Sequence, residues 1–460
     1  MYKISFDQPI HVHFMGIGGI SMSGLAHILL QRGFVISGSD SKQSPLTDAL
    51  TAAGATCYYS QIAANISSDI DLLVYSAAIH PDNPELKAAI DAGIPAITRA
   101  ELLGQIMENY EKSVAVSGTH GKTTTTSMIS HILLAADTDP TISVGGILKA
   151  IDGNIRIGKS DVFLTEACEY TNSFHSFYPK YNVILNIEED HMDFFHDLSE
   201  IRASFKKFAG NTKSDGVIVI NSQINNWSEI TSGLSAKVLT FGANATSDAY
   251  PEDIDYNEAT GCASFVPVIC GNKMPRVALN VPGEHNVYNA LASILITTSM
   301  GIDSDTIIRG LESFGGTDRR FEHKGMLGNV TVIDDYAHHP TEISATLAAA
   351  RNIVKGRLIV VFQPHTYTRT VAFMSDFAKA LSAADLVVLA DIYAARETDN
   401  LGISSADLQE KIAKLGTECV YLPSFDEIES YLLKKCIDND LLITMGAGNV
   451  VEIGNHLLGL

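Results

Sequence analysis

The chain has 460 residues, 46% hydrophobic and 18% charged, enough apolar surface for several cores and a length that predicts about three domains of roughly 150 residues. Its formal charge of −21 excludes the basic face that a nucleic-acid backbone requires, while anionic nucleotides stay possible because salt screens distant carboxylates beyond about 8 Å. No apolar run reaches the ~18 to 20 residues that span a bilayer, the first ten residues lack a signal-peptide pattern, and the six cysteines form no Cys-x-x-Cys pair, so a soluble cytoplasmic protein without membrane insertion is expected.

From Ile10 onward, short β-branched runs alternate with helix-like stretches at residues 11–15, 20–32 and 34–37, which is β-α-β order. Further apolar runs at 71–75 and 95–98 extend this into a parallel sheet of about 100 residues. Gly16-Ile17-Gly18-Gly19 follows the first run and opens a helix, as a dinucleotide fingerprint does, with Ser21 in place of the third glycine. Asp40, after Ser37-Gly38-Ser39, stands about 20 residues on, where a ribose-binding acid is expected. Alone, this pattern fits NAD or a structural turn. Residues 108–112 read as a linker.

The second segment opens on Val114 to Ser117, a strand pattern that breaks into Gly118-Thr119-His120-Gly121-Lys122-Thr123-Thr124. This is a phosphate cradle. Gly118 and Gly121 permit turns that a Cβ obstructs, their amides can face an anion, Lys122 adds a mobile cation, and Thr123 is placed to ligate magnesium. Val116 stands where the longer motif has glycine, so the loop is a shortened form. Apolar runs at 162–164, 183–185 and 217–220 have the length of buried strands, and a helix pattern covers 287–299. Residues 244–276 look irregular, with room for a β-hairpin.

Glu166 ends one of those strands and His191 follows another. Strand ends converge on the ligand crevice of a doubly wound sheet, so a carboxylate and an imidazole there suit a divalent metal beside the phosphates; a surface acid and a capping histidine are the plain alternative. His285 and Asn286, opening a helix after Gly283, offer an imidazole and an amide that can pair with adenine or serve as ordinary caps.

The third segment begins near Gly315-Gly316-Thr317-Asp318, with strands expected at 330–333, 358–362, 386–389 and 441–444 and helices at 341–352 and 371–382. Two polar clusters sit on neighbouring strand ends, Asp334-Asp335-Tyr336-Ala337-His338-His339 and Gln363-Pro364-His365-Thr366-Tyr367-Thr368-Arg369. They form either a second wall of the site or solvated loops.

Taken together, these stretches resemble the Mur ligase family over nearly the whole chain. The motif around Gly16, Ser37 to Asp40, Arg99-Ala100-Glu101 and residues 362–370 resemble its alanine-adding branch. The resemblance implies an α/β protein of three domains: a Rossmann-like parallel sheet over residues 1–107 for the UDP substrate, a P-loop ATPase-like domain over 108–316 for ATP, and a Rossmann-like domain over 317–460 for the amino acid. The implied reaction is ATP- and Mg²⁺-dependent ligation of L-alanine to the lactyl carboxylate of UDP-N-acetylmuramate through an acyl phosphate. The alternative within the family is a recycling ligase that attaches a tripeptide. Outside the family, the rivals are an NAD-dependent oxidoreductase and a nucleotide-binding regulator.

By the same resemblance, Gly118 to Thr124 hold the phosphates, Lys122 and Arg320 offset charge on the transferred group, and Thr123, Glu166 and His191 hold metal. His285, Asn286, Asp335 and Tyr336 face ATP; Gly16, Gly18, Gly19, Ser21, Ser37, Asp40, Ser76, Arg99 and Glu169 face the UDP-sugar. His338, His365 and Arg369 surround the amino acid, with His338 the candidate general base. The chain departs from the family pattern at Cys168, Tyr170 and Thr171, at Thr366, where arginine is frequent, and at Arg396, where glycine is frequent. A monomer or weak dimer is expected.

Overall fold

The computed structural model describes residues 3–76 and 79–460. They form three α/β units, each built on its own sheet. In the first, all five strands are parallel, in the order Thr56–Tyr58, Val35–Ser39, His11–Met15, Leu72–Tyr75, Ala96–Thr98. The chain leaves His11–Met15 toward one edge and later returns to its other side, so the order reverses at the loop that begins with Gly16. Ligands of open α/β sheets bind at such a switch point.

The second sheet has eleven strands. Its parallel part places the phosphate-loop strand Lys112–Ser117 between Tyr181–Ile184 and Val162–Ala167. Val116 is in register with Glu166, and Ser117 with both Ala167 and Ile184, so three strands deliver their ends to one edge. Residues 244–276 are more ordered than the sequence indicates. Strands Ala249–Tyr256 and Cys262–Ile269 pair antiparallel, with a bulge between Glu252 and Asp255.

The third sheet runs Glu322–Leu327, Val330–Asp335, Leu441–Met445, Leu358–Phe362, Leu386–Leu389, Glu418–Tyr421, antiparallel only at its first pair. The helix expected over 371–382 is two helices, Tyr367–Ala372 and Met374–Leu381, meeting at Phe373.

The first two units are pressed together. Gly24, in helix Ile20–Gln31, faces Ile155 so closely that a Cβ would lie 1.5 Å from its Cδ1. At Gly104, in helix Arg99–Glu108, a Cβ would meet the Ser176 carbonyl oxygen at 1.9 Å. Either substitution forces the packed backbones apart. The expected linker shrinks to residues 109–111, because the helix ends at Glu108 and the next strand starts at Lys112. No helix among the described residues is long and apolar enough to cross a membrane.

Candidate active site

The glycines of the phosphate loop adopt the backbone conformations their position requires. Gly118 has φ +141° and Gly121 has φ +81°, both in the region where L side chains are strained. A Cβ on Gly121 would also sit 2.8 Å from Asn289 Oδ1, closing the cradle. The loop is pinned from the neighbouring strand: His120 N donates to Asn186 Oδ1 at 2.7 Å and Thr119 N to the Asn186 carbonyl at 3.2 Å. Lys122 opens helix Lys122–Ala135 and folds back, its Nζ donating to the carbonyls of Gly118 (2.5 Å) and Thr119 (3.1 Å). Burial works against this ammonium, but Glu169, 3.0 Å away, holds its pKa above the ordinary value. It is a permanent cation.

Two acids flank it, Glu169 buried and Glu166 half-buried. Thr123 Oγ1 donates to Glu166 Oε2 at 3.2 Å, and Gly145 N to Glu166 Oε1 at 2.5 Å. Burial pushes the Glu166 carboxyl up, against the pull of the Gly145 amide and Lys122. His191 has φ +54° and stacks on Tyr170 with ring centroids 4.5 Å apart. Its Nε2 lies 3.7 Å from Glu169 Oε1 and 3.8 Å from Asp190 Oδ2. Glu169 therefore bridges Lys122 and His191, a link that sequence reasoning about Glu166 and His191 alone missed. Thr123 and Glu166 make an all-oxygen donor set of the kind hard cations take.

His120, Glu188 and His339 also offer ligand atoms within 4.8 Å of one another. Both ring nitrogens of His339 are committed, however, Nε2 to the Glu189 carbonyl at 3.0 Å and Nδ1 to Thr341 N at 3.3 Å. This trio is a junction between units. His120 lies 3.3 Å from Glu342 and 3.5 Å from Glu188; burial alone disfavours its charge, yet bonding to the two acids raises its pKa to about 9.

The third unit closes one side of a cavity of about 520 Å³ beside the loop, lined by Thr124, His285 and Asn286 from one side and Arg320, Asp335 and Glu342 from the other. Asn286 is partly spent on structure, since its Nδ2 donates to the Pro282 carbonyl at 2.7 Å and its Oδ1 accepts from Asn289 at 3.0 Å. Asp335 accepts from the amides of Phe321 (2.8 Å) and Ala337 (2.7 Å), and burial raises its pKa to about 6. Arg320 lies over the Tyr336 ring at 5.2 Å and reaches toward Glu342 at 3.9 Å.

Nearby, His338 Nδ1 is 2.9 Å from the Tyr336 carbonyl and its ring centroid is 6.0 Å from that of His365. Arg369 binds Asp190 Oδ1 through Nε (3.1 Å) and Nη2 (2.9 Å), crossing from the third unit to the second.

In the first unit, Gly16 has φ +80°, and both its amide and that of Ile17 donate to the Ser39 carbonyl. Gly19 N closes the turn on the Gly16 carbonyl at 3.1 Å. Asp40 is committed to the loop, accepting from Gly18 N at 2.8 Å and from Ser41 N at 2.7 Å. Ser76 borders Gly16, where a Cβ would lie 3.8 Å from its Oγ. Arg99 Nη1 donates to Ser21 Oγ at 3.1 Å, and burial draws its pKa below the ordinary guanidinium value.

Ser37 is held inside the first unit. Its buried hydroxyl is shared by His11 Nε2 and His13 Nδ1, each at 2.8 Å, in a chain that continues from His13 Nε2 to Glu85 at 3.0 Å. Strand alternation explains it, because His11 and His13 share a face and Ser37 is in register with His13.

Burial pushes His285, His338 and His365 each down to about 4, from an ordinary value of 6.5. Between those values the unfolded chain binds protons that the folded chain refuses, so their contribution is present above about pH 6.5 and is lost as pH falls toward 4. His120 has the opposite sign: its contribution is complete below 6.5 and is lost as pH rises through about 9. The melting temperature should therefore fall on going from pH 7 to pH 5, and by less in His365→Gln. Equal acid slopes for parent and variant would remove His365 from this account.

Residues 11–111 match the sequence model described as "Mur ligase family, catalytic domain", residues 116–297 that of the "Mur ligase middle domain", and residues 319–448 that of the "Mur ligase, glutamate ligase domain". Over 458 residues, all of both chains, the sequence is 59% identical to the UDP-N-acetylmuramate--L-alanine ligase of Agathobacter rectalis. It is 49% identical over 456 residues to that of Caldanaerobacter subterraneus, covering 99% of each chain. Among solved structures, the UDP-N-acetylmuramate-alanine ligase MurC of Thermotoga maritima superposes with a TM-score of 0.79 at 29% identity, over 98% of both chains. The murein peptide ligase of Psychrobacter arcticus gives 0.69 at 24% identity over 98% of each chain, a likeness of fold.

Proposed function

The chain belongs to the Mur ligase family, and from that premise we propose that it is an ATP-dependent amide-forming ligase that joins L-alanine to the lactyl carboxylate of UDP-N-acetylmuramate, releasing ADP and phosphate. The observation that carries this reading is the convergence of Lys122, Thr123 and Glu166 on one sheet edge, faced across the cavity by Arg320 and Asp335.

The UDP-sugar occupies the switch point of the first unit, at Gly16, Gly18, Gly19, Ser21, Asp40 and Ser76, with its muramyl end directed past Arg99 to the central site. The lactyl carboxylate attacks the γ-phosphate of ATP, giving an acyl phosphate and ADP, and the amine of alanine then displaces phosphate. Almost all of what the protein supplies is positioning and charge. Lys122 and Arg320 offset charge on the transferred oxygens, while the amides of Gly118 to Thr124 orient the phosphates at a helix N-terminus. His285 and Asn286 border the base.

A divalent cation fits the oxygens of Thr123 and Glu166, with Glu169 and His191 next in reach. Magnesium bound there would neutralise phosphate charge. His338 is the group placed to receive the ammonium's proton: with Nδ1–H on the Tyr336 carbonyl, its lone pair is on Nε2, and because burial lowers its pKa to about 4, its basicity has to come from the negative charge that the substrates bring beside it. The Arg369–Asp190 pair and the His120–Glu342 contact hold the third unit over the site, which keeps water from the acyl phosphate.

Phosphate release from ATP, measured with each component omitted in turn, tests this. Release should require UDP-N-acetylmuramate, Mg²⁺ and L-alanine together, and a tripeptide should not replace alanine. Release that responds to tripeptide and not to alanine would transfer the chain to the recycling reaction.

A further inference from the structure

The α-carboxylate of the incoming amino acid needs a cation, and Arg369, the guanidinium nearest the two pocket histidines, is already taken. Its Nε and Nη2 both bind Asp190 Oδ1, and its Nη1 lies 3.3 Å from His365 Nδ1. Asp190 is buried, and both of these nitrogens close on one of its oxygens. An arriving carboxylate that drew Arg369 away would leave this acid buried and unpaired, which is strongly unfavourable. Thr366 brings no charge, and burial keeps His338 and His365 neutral at working pH.

The cation left over stands on the adjacent strand-end loop. Residues 393–397 are fixed against helix Tyr367–Ala372 from three directions. Tyr393 pairs with His365 through a backbone bridge and stacks on its ring, with centroids 5.6 Å apart. Thr366 N donates to the Tyr393 carbonyl at 2.9 Å. Glu397 accepts from Tyr367 N at 2.5 Å and Thr368 N at 3.2 Å, and from the Thr368 hydroxyl, so it caps the helix. Arg396, between these anchors, is exposed and has no hydrogen bond or ion pair among the described residues. The anchors on either side of it, Tyr393 on the His365 ring and Glu397 on the helix start, set it on the same strand-end loop as the pocket histidine.

We propose that Arg396 recognises the α-carboxylate of the amino-acid substrate, with the Arg369–Asp190 pair serving as the fixed wall beside it. The inference rests on the ligase reading above. A charge-assisted pair between an exposed guanidinium and a carboxylate that covers it on binding changes affinity by about 10- to 100-fold.

Steady-state kinetics with L-alanine and with L-alaninamide, which lacks the carboxylate, provide the test. In Arg396→Ala the KM for L-alanine should rise about 10- to 100-fold, with kcat and the KM values for ATP and UDP-N-acetylmuramate unchanged. The parent should prefer L-alanine to its amide, and the variant should lose most of that preference because its kcat/KM for alaninamide stays within about 3-fold of the parent's. Arg396→Lys should fall between the two. An alanine KM within about 2-fold of the parent's, or an equal loss for alanine and alaninamide, would overturn the assignment. A parent that turns over no ATP with alanine and UDP-N-acetylmuramate would instead refute the ligase reading itself.

Discussion

Lys122→Ala should lower turnover by about 1,000-fold or more, while binding of UDP-N-acetylmuramate survives with little change in affinity. The ammonium is held by two loop carbonyls and Glu169, so it is fixed in place before any phosphate arrives. A preorganised charge of this kind stabilises the transition state without reorganisation. In the proposed reading the UDP portion sits in the first unit, away from the loop carbonyls and Glu169 that hold Lys122. Removing the lysine also strands Glu169, which is 2% exposed, as a buried acid without its main partner. Lys122→Ala should thus lose thermal stability as well, and adding Glu169→Gln should restore stability without restoring turnover. Isothermal titration with the UDP-sugar, melting curves and phosphate release separate the three effects. Near-parental turnover in Lys122→Ala would mean that the loop does not act on the transferred phosphate.

Glu166→Gln should cost about 100- to 1,000-fold in turnover and raise the magnesium concentration for half-maximal rate about tenfold. Glutamine keeps the volume and can still accept from Gly145 N and bond Thr123, so the local fold is retained and only the charge goes. Burial disfavours that charge, which is the condition under which a cation gains most by binding. A variant with lower turnover and an unaltered magnesium response would reduce Glu166 to a hydrogen-bond acceptor for Gly145 and Thr123.

The sequence displayed what depends on local rules. The glycine spacing of residues 118–121 dictates a turn that L side chains resist, and the alternation of β-branched runs with helical stretches dictates a parallel sheet whose ends gather the chemistry. What it concealed depends on pairs far apart along the chain. Lys122 and Glu169 are 47 positions apart, Asp190 and Arg369 179, and His120 and Glu342 222, and no periodicity relates such partners. The place of Ser37 at a strand end is visible in the sequence, whereas the inward orientation of its hydroxyl depends on the neighbouring strand's register. The ribbon at Ala249–Tyr256 is legible only as room for a β-hairpin, for a compositional reason. Pro251, Glu252, Asp253 and Asp255 are poor strand formers, and Asp253 takes φ +49° at the bulge, so only pairing with Cys262–Ile269 makes the segment a strand.

Activation of the sugar's carboxylate by the γ-phosphate, proposed to be held at Lys122, is the central step of the proposed reaction. UDP-N-acetylmuramate labelled with ¹⁸O in both lactyl carboxylate oxygens distinguishes this from every route in which water or the amine attacks ATP. Mass spectrometry of the released phosphate should find one ¹⁸O transferred per turnover, with the other retained in the new amide. Phosphate free of label, accompanied by alanine-dependent product, would contradict it.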